Sequence, residues 1–106
     1  MVTPSTAGDR EKVVSKLPSW LRQDLKVRAA ELGIDIQDAV SAGITAWRSA
    51  AAEDCPSVDT SGSSSFSTWL PLGQWEELKD TCAERGGLPF AQGLAQSVQM
   101  WMSAHP

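Results

Sequence analysis

One short sequence pattern occurs twice in this chain, and the repeat constrains the fold more than any other feature. The segment that begins at Lys12 reads KVVSKLPSWLRQDLK, and the segment that begins at Ser65 reads SFSTWLPLGQWEELK. Equivalent residues lie 53 positions apart here, and 54 positions apart after one extra residue in the second unit, where Trp47 matches Trp101. Each unit is too small to bury a core alone, so we expect the two units to form one core together.

Each unit begins with a segment in which inward and outward residues alternate, which predicts a short strand with one buried face. A proline follows the leucine that closes this segment, and it is expected to end the strand because it has no N–H to donate. The predicted inward positions are Val13, Ser15 and Leu17 in strand 12–17, and Phe66, Thr68 and Leu70 in strand 65–70.

Apolar residues near every third or fourth position then predict two helices in each unit. Gly33 in the first unit, and Gly86 with Gly87 in the second, are expected to end the earlier helix of each pair. The predicted buried positions are Leu21, Leu25, Ala29, Leu32, Ile36, Val40, Ile44 and Trp47 in the first unit, and Trp75, Leu78, Cys82, Leu94, Val98 and Trp101 in the second.

The helix starts carry weaker signals. Ser19 is expected to cap the first helix, and Asp35 with Asp38 resembles a capping box at the second. In the second unit, Pro89 suits the first turn of the last helix.

The chain of 106 residues has the length of one ordinary domain, with 42% hydrophobic and 21% charged residues. We expect residues 1–9 to be a disordered tail and residues 10–106 to be a single, mainly helical domain. This domain divides into a first unit at 10–50, a polar, serine-rich linker at 51–64 and a second unit at 65–104.

The residue types needed for catalysis or metal binding are scarce. Cysteine occurs only at Cys55 and Cys82, without the spacing of a metal site, and the single histidine is His105. The sequence therefore predicts no enzyme, no cofactor and no metal, and two free thiols suit the cytoplasm. We expect no membrane span, because the apolar runs are too short, and no signal peptide, because no N-terminal stretch combines a basic flank with an apolar core.

A strand that ends in Leu-Pro, a helix that ends at glycine and a second helix together resemble the ribbon-helix-helix family. The resemblance is close over residues 12–50 and weaker over residues 65–104. Members of that family are normally homodimers in which each chain gives one strand to a two-stranded antiparallel ribbon that lies in the major groove of DNA. Two units in one chain imply a pseudo-dimer, with strand 12–17 paired to strand 65–70. Tandem units of this kind resemble plasmid partition (centromere-binding) proteins.

The resemblance implies two sets of DNA contacts. The outward strand residues would contact bases. Lysine can donate to the edge of guanine, serine can bond to several bases, and valine can contact the thymine methyl group. The predicted base contacts are Lys12, Val14, Lys16, Ser65, Ser67 and Trp69. The start of each second helix would offer backbone N–H groups to a phosphate, more weakly where proline lacks one. The predicted phosphate contacts are Arg10, Asp35, Ile36, Gln37, Pro89 and Phe90.

Simpler interpretations stay open for several of these residues. Lys12 and Lys16 could form a solvated strand face, and Trp69 could be a packing residue or meet another subunit. The remaining tryptophans are expected to face the core or a partner, and these are Trp20, Trp47, Trp75 and Trp101.

The charge is unevenly distributed along the chain. Residues 1–28 hold six basic and three acidic side chains, a net charge of +3, whereas residues 29–106 carry −7. The net charge of −4 opposes DNA binding by the molecule as a whole, so we expect weak binding by one domain and stronger binding by several copies on repeated sites.

The sequence thus predicts a protein that binds a specific double-stranded DNA sequence, in plasmid partition or as a small repressor. A partition ATPase or a toxin would be its protein partner, and a higher oligomer on DNA is expected. The alternative is an antitoxin-type interaction module that uses the same fold mainly to bind a protein.

Overall fold

The computed structural model describes residues 9–55 and 57–106. The predicted disordered tail therefore lies, apart from Asp9, outside the described residues. The elements in chain order are β1 (Arg10–Pro18), α1 (Ser19–Leu32), α2 (Ile36–Ser49), a 3₁₀ turn (Ala52–Asp54), β2 (Ser63–Pro71), α3 (Gln74–Glu84) and α4 (Phe90–Ala104). The mainly helical fold predicted from the repeat is confirmed.

The two strands form an antiparallel ribbon within one chain, as the sequence predicted. Val14 lies opposite Ser67 in the ribbon. Both strands are longer than expected, and each ends at its proline, Pro18 or Pro71. The alternation is as predicted, with buried Val13, Leu17, Phe66, Thr68 and Leu70 on the inner face.

The inner face of the ribbon and the four helices enclose one hydrophobic core, and most of the predicted buried residues belong to it. Leu32 is the clear error, because 46% of its surface is exposed. It is the last residue of α1, and the chain then reverses at Gly33, whose φ is 68°. Ile34 packs against the core after this turn, as an apolar residue often does just beyond a glycine that ends a helix.

Helices α2 and α4 pack against each other at unusually short range. A Cβ added to Gly43 would overlap the backbone carbonyl oxygen of Ser97 and lie 3.2 Å from the Cβ of Trp101. Beside this crossing, the indole Nε1–H of Trp47 donates a hydrogen bond of 2.9 Å to Oε1 of Gln96. Trp47 is fully buried, so this bond satisfies its only polar group.

The predicted cap at the start of α1 is wrong. Pro18 occupies the N-cap position, and Ser19 is the first residue of the helix. The strand runs directly into the helix, and the Ser19 hydroxyl instead donates to the carbonyl of Gly62, just before β2.

The predicted capping box of α2 is also wrong. Asp35 is the N-cap residue, but its carboxylate accepts no capping hydrogen bond within the described residues. Asp38 turns instead to the guanidinium of Arg10, at 2.9 Å. In α4, Pro89 is the N-cap residue rather than a member of the first turn, and the helix begins at Phe90.

The segment predicted as a polar linker is tied to the domain. Val58 is buried, and its backbone N–H and carbonyl both bond to the side chain of Gln92 in α4, at 2.7 and 2.9 Å. The turn that follows is held by Asp59, and hydrogen bonds from Ser61 lower the pKa of this carboxyl. Strand β2 then begins at Ser63, two residues earlier than the unit boundary expected from the sequence.

Arg85 closes the C-terminal end of α2. Its guanidinium donates to the carbonyls of Trp47 and Ala50, at 3.0 and 2.8 Å, and lies 4.5 Å from the centre of the Trp47 ring. The Trp47 carbonyl also accepts a bond of 3.3 Å from the Ala50 N–H, and the arginine adds a second donor there and supplies a donor to the Ala50 carbonyl just beyond the helix.

Trp47→Ala is expected to destabilise the fold by about 3–5 kcal/mol, because it opens a large cavity and leaves Gln96 without its indole partner. Thermal and urea unfolding of the purified variant would measure the change. Trp20→Ala provides the control, since 46% of the Trp20 surface is exposed and its loss should change stability little. Equal melting temperatures for the two variants would contradict the buried position of Trp47.

Gly43→Ala should destabilise the fold by about 1–3 kcal/mol, although alanine favours a helix over glycine by up to about 1 kcal/mol. The added methyl group meets a backbone carbonyl, which cannot rotate away as a side chain could. Ser49→Ala, at an exposed site in the same helix, is the control. A Gly43→Ala variant more stable than the wild type would contradict the close approach of α2 and α4 at this residue.

Candidate nucleic-acid interface

The outer face of the ribbon carries all six residues that the sequence predicted as base contacts. Each of them is exposed, with 59% of the Val14 surface and 49% of the Trp69 surface open to solvent. They form three cross-strand pairs, which are Lys12 with Trp69, Val14 with Ser67, and Lys16 with Ser65. We call these six residues the ribbon face.

The ribbon face is positively charged, since it holds two lysines and no acidic residue. Lys12 and Lys16 take part in none of the ion pairs found among the described residues. Both ammonium groups therefore remain available to an external acceptor. The nearest acidic residue along the strand, Glu11, accepts a hydrogen bond of 3.2 Å from the backbone N–H of Gly73, just before α3.

The start of α2 lies beside one end of the ribbon face. Arg10 joins them, because it donates to the Trp69 carbonyl at 3.2 Å and to the Asp38 carboxylate at 2.9 Å. The amides of Ile36 and Gln37 precede the first helical hydrogen bonds of α2, in which Asp38 and Ala39 donate to the Asp35 carbonyl. The predicted phosphate contacts of the first unit are thus brought together, although Asp35 adds an exposed carboxylate that opposes an anion there.

A groove of about 970 Å³ separates α1 from β2 and reaches the start of α2. No pattern in the sequence predicted this groove. Arg22 and Lys26 line it on the helix side, Ser67 and Trp69 on the strand side, and Asp35 at its end. Arg22 also donates to the Ser65 carbonyl at 3.4 Å and lies 5.8 Å from the centre of the Phe66 ring, so it holds the helix against the strand edge. Basic side chains outnumber acidic ones along this groove.

The start of α4 is built differently. The ring of Phe90 meets that of Trp75 edge to face, with centroids 6.2 Å apart, and Lys79 Nζ lies 6.0 Å from the Phe90 ring. Pro89 offers no N–H, so the predicted phosphate contacts at Pro89 and Phe90 have fewer donors than those at Asp35, Ile36 and Gln37. The aromatic pair occupies positions that correspond in the repeat to Arg22 and Ile36.

The two cysteine thiols lie away from the ribbon face. Both cysteines are free, and Cys82 is fully buried between α3 and α4. Burial raises the pKa of the Cys82 thiol, and the nearby Arg85 guanidinium opposes this shift only in part. In the part of the chain that the structure describes, three or more histidine, cysteine or acidic side chains do not gather at any point where they could hold a metal ion. None of the described helices is long and apolar enough to cross a membrane.

No family model, curated protein or solved structure matches the chain. A function is therefore inferred from the ribbon face and from the helix ends beside it.

Proposed function

We propose that the chain is a single-chain ribbon-helix-helix pseudo-dimer that binds a specific sequence of double-stranded DNA through the ribbon face. The observation that carries this proposal is the exposure of a two-stranded, positively charged ribbon whose lysines have no ion-pair partner among the described residues. The major groove of B-DNA is about 12 Å wide and admits a two-stranded ribbon.

The register of the strands supports the pseudo-dimer. Val14 lies opposite Ser67, which is its own equivalent 53 residues later, so the ribbon is symmetric in register about this pair. The contact between α2 and α4 also joins equivalent residues, because Ser97 lies 54 residues after Gly43 and 54 is the repeat offset in these helices. A local twofold axis through both contacts would relate the two units.

The ribbon face has the chemistry that base recognition needs. Lys12 and Lys16 donate hydrogen bonds, which suit the O6 and N7 acceptors of guanine, and Val14 can contact a thymine methyl group. Ser65 and Ser67 both donate and accept, so they can serve several bases. The amides at the start of α2, with Arg10 nearby, would fix the position of the ribbon by contacting a phosphate.

The charge distribution favours binding to repeated sites. Residues 1–28 carry a net positive charge, whereas the other 78 residues carry a net charge of −7. One domain therefore neutralises few phosphates. Several domains on adjacent sites would supply the affinity that one lacks. Such arrays suit a centromere-binding role in plasmid partition, or a small repressor at a repeated operator.

A second candidate function is an antitoxin-type module that binds a protein. The groove beside α1 favours it, because Arg22 and Lys26 line an open surface next to the aromatic ring of Trp69. In that case DNA binding by the purified protein would be weak or would need the partner.

Lys12→Ala with Lys16→Ala should reduce specific DNA affinity roughly 30-fold or more, because each lost base contact contributes about 1–3 kcal/mol. Gel-shift titrations on duplexes from the DNA that flanks its own gene would measure this. The unfolding temperature should hardly change, since both lysines are exposed.

The matched control is Arg48→Ala with Lys79→Ala, which removes the same charge from α2 and α3, where both side chains pair with glutamates. This control should retain most of the specific affinity. If the two double variants bound equally well, the ribbon face would not be the surface that recognises DNA.

The affinity of one domain for one site should fall only shallowly with salt. Two to four phosphate contacts give a slope of roughly −2 to −3.5 in log affinity against log salt concentration. Probes with one, two and four copies of the site should bind progressively more tightly, without any protein partner. Constant affinity per site at moderate salt would favour the protein-interaction candidate instead.

A further inference from the structure

We infer that the chain binds a DNA site that lacks twofold symmetry, and that it does so in one fixed orientation. This inference rests on the proposed function and specifies the class of site. It follows from a chemical difference between the two ends of the ribbon face, although the strand register itself is symmetric.

The two ends of the ribbon face carry different residue pairs. One end has Lys12 opposite Trp69, and the other has Lys16 opposite Ser65. Rotation about the central pair of Val14 and Ser67 exchanges these ends. In a homodimer the exchange would leave the face unchanged, whereas here it places Ser65 where Lys12 stood and Lys16 where Trp69 stood.

The two ends differ in Trp69 and Ser65, and these two side chains recognise bases in different ways. The exposed indole of Trp69 offers one N–H donor and a large apolar surface, which suits a thymine methyl group. The Ser65 hydroxyl is small, and it both donates and accepts. The base pairs that fit one end of the ribbon face therefore differ from those that fit the other end. Each half of the DNA site then binds only one end of the ribbon face.

The flanks of the two ends strengthen this polarity. Arg10 and the start of α2 lie beside Trp69. At the repeat position that corresponds to Ile36, the second unit has Phe90, which packs against Trp75 and follows Pro89, a residue without an N–H. Phosphate contacts are thus expected to be stronger at the Trp69 end of the ribbon.

The test selects bound sequences from a pool of random duplexes with the wild-type full chain. A selected sequence without twofold symmetry is expected. Probes made symmetric by replacing either half with an inverted copy of the other should bind about tenfold more weakly or worse, since one end then meets the wrong bases. A palindromic selected sequence, or equal binding to a symmetric probe, would overturn the inference and leave DNA binding itself intact. Enrichment of no sequence at all would overturn both proposals.

A triple variant tests the cause of the polarity. Ser65→Lys, Ser67→Val and Trp69→Lys give β2 the same outward residues as positions 12, 14 and 16 of β1, and all three sites are exposed. Its selected sequence should gain twofold symmetry. The control Ser49→Lys with Ser103→Lys adds the same charge at exposed helix positions and should keep the wild-type sequence. A triple variant that folds, by thermal unfolding, yet selects the wild-type sequence would show that Trp69 and the serines do not set the polarity.

Discussion

The close approach of α2 and α4 determines how the rest of the molecule can be arranged. Because residue 43 is glycine, the backbone of α2 reaches the Ser97 carbonyl, and the two helices become the centre of the domain. Trp47 can then fill the space beside the crossing and bond to Gln96, and Arg85 can stack on the same indole while it donates to the carbonyls at the end of α2. A two-stranded ribbon is marginal by itself, so its inner face depends on this helical layer for stability.

The ribbon is held in place along the edge of β2 as well as by the helices under its inner face. A strand without a neighbour presents free backbone groups that could pair with another chain. Here Arg22 and Arg10 donate to the Ser65 and Trp69 carbonyls, and Ser19 donates to Gly62 just before β2. These bonds occupy part of the free edge of β2 with side chains from the same chain. The ribbon face itself remains open, which is the condition for a binding surface.

The repeat and the period-two alternation were enough to predict the strands and the exposure of all six residues of the ribbon face, and the resemblance to ribbon-helix-helix proteins added the pairing of the strands within one chain. The two capping errors share one physical cause, which is competition from tertiary contacts that sequence patterns do not contain. Asp38 bonds to Arg10 rather than completing a capping box, and Ser19 bonds to Gly62 rather than capping α1. The docking of Val58 by Gln92 also joins distant segments, so local composition gave no sign of it.

The places where the two units differ show what a single chain gains over a homodimer. In a homodimer every substitution appears twice, so one residue must serve both copies of a contact. Here equivalent positions have separate tasks, because Arg85 caps α2 whereas its equivalent, Leu32, is exposed at the end of α1. In the proposed pseudo-dimer the same freedom lets the first unit concentrate positive charge while the second supplies aromatic packing from Trp75 and Phe90. The asymmetric recognition of DNA that we propose then needs no change of fold, only different side chains on a ribbon whose register stays symmetric.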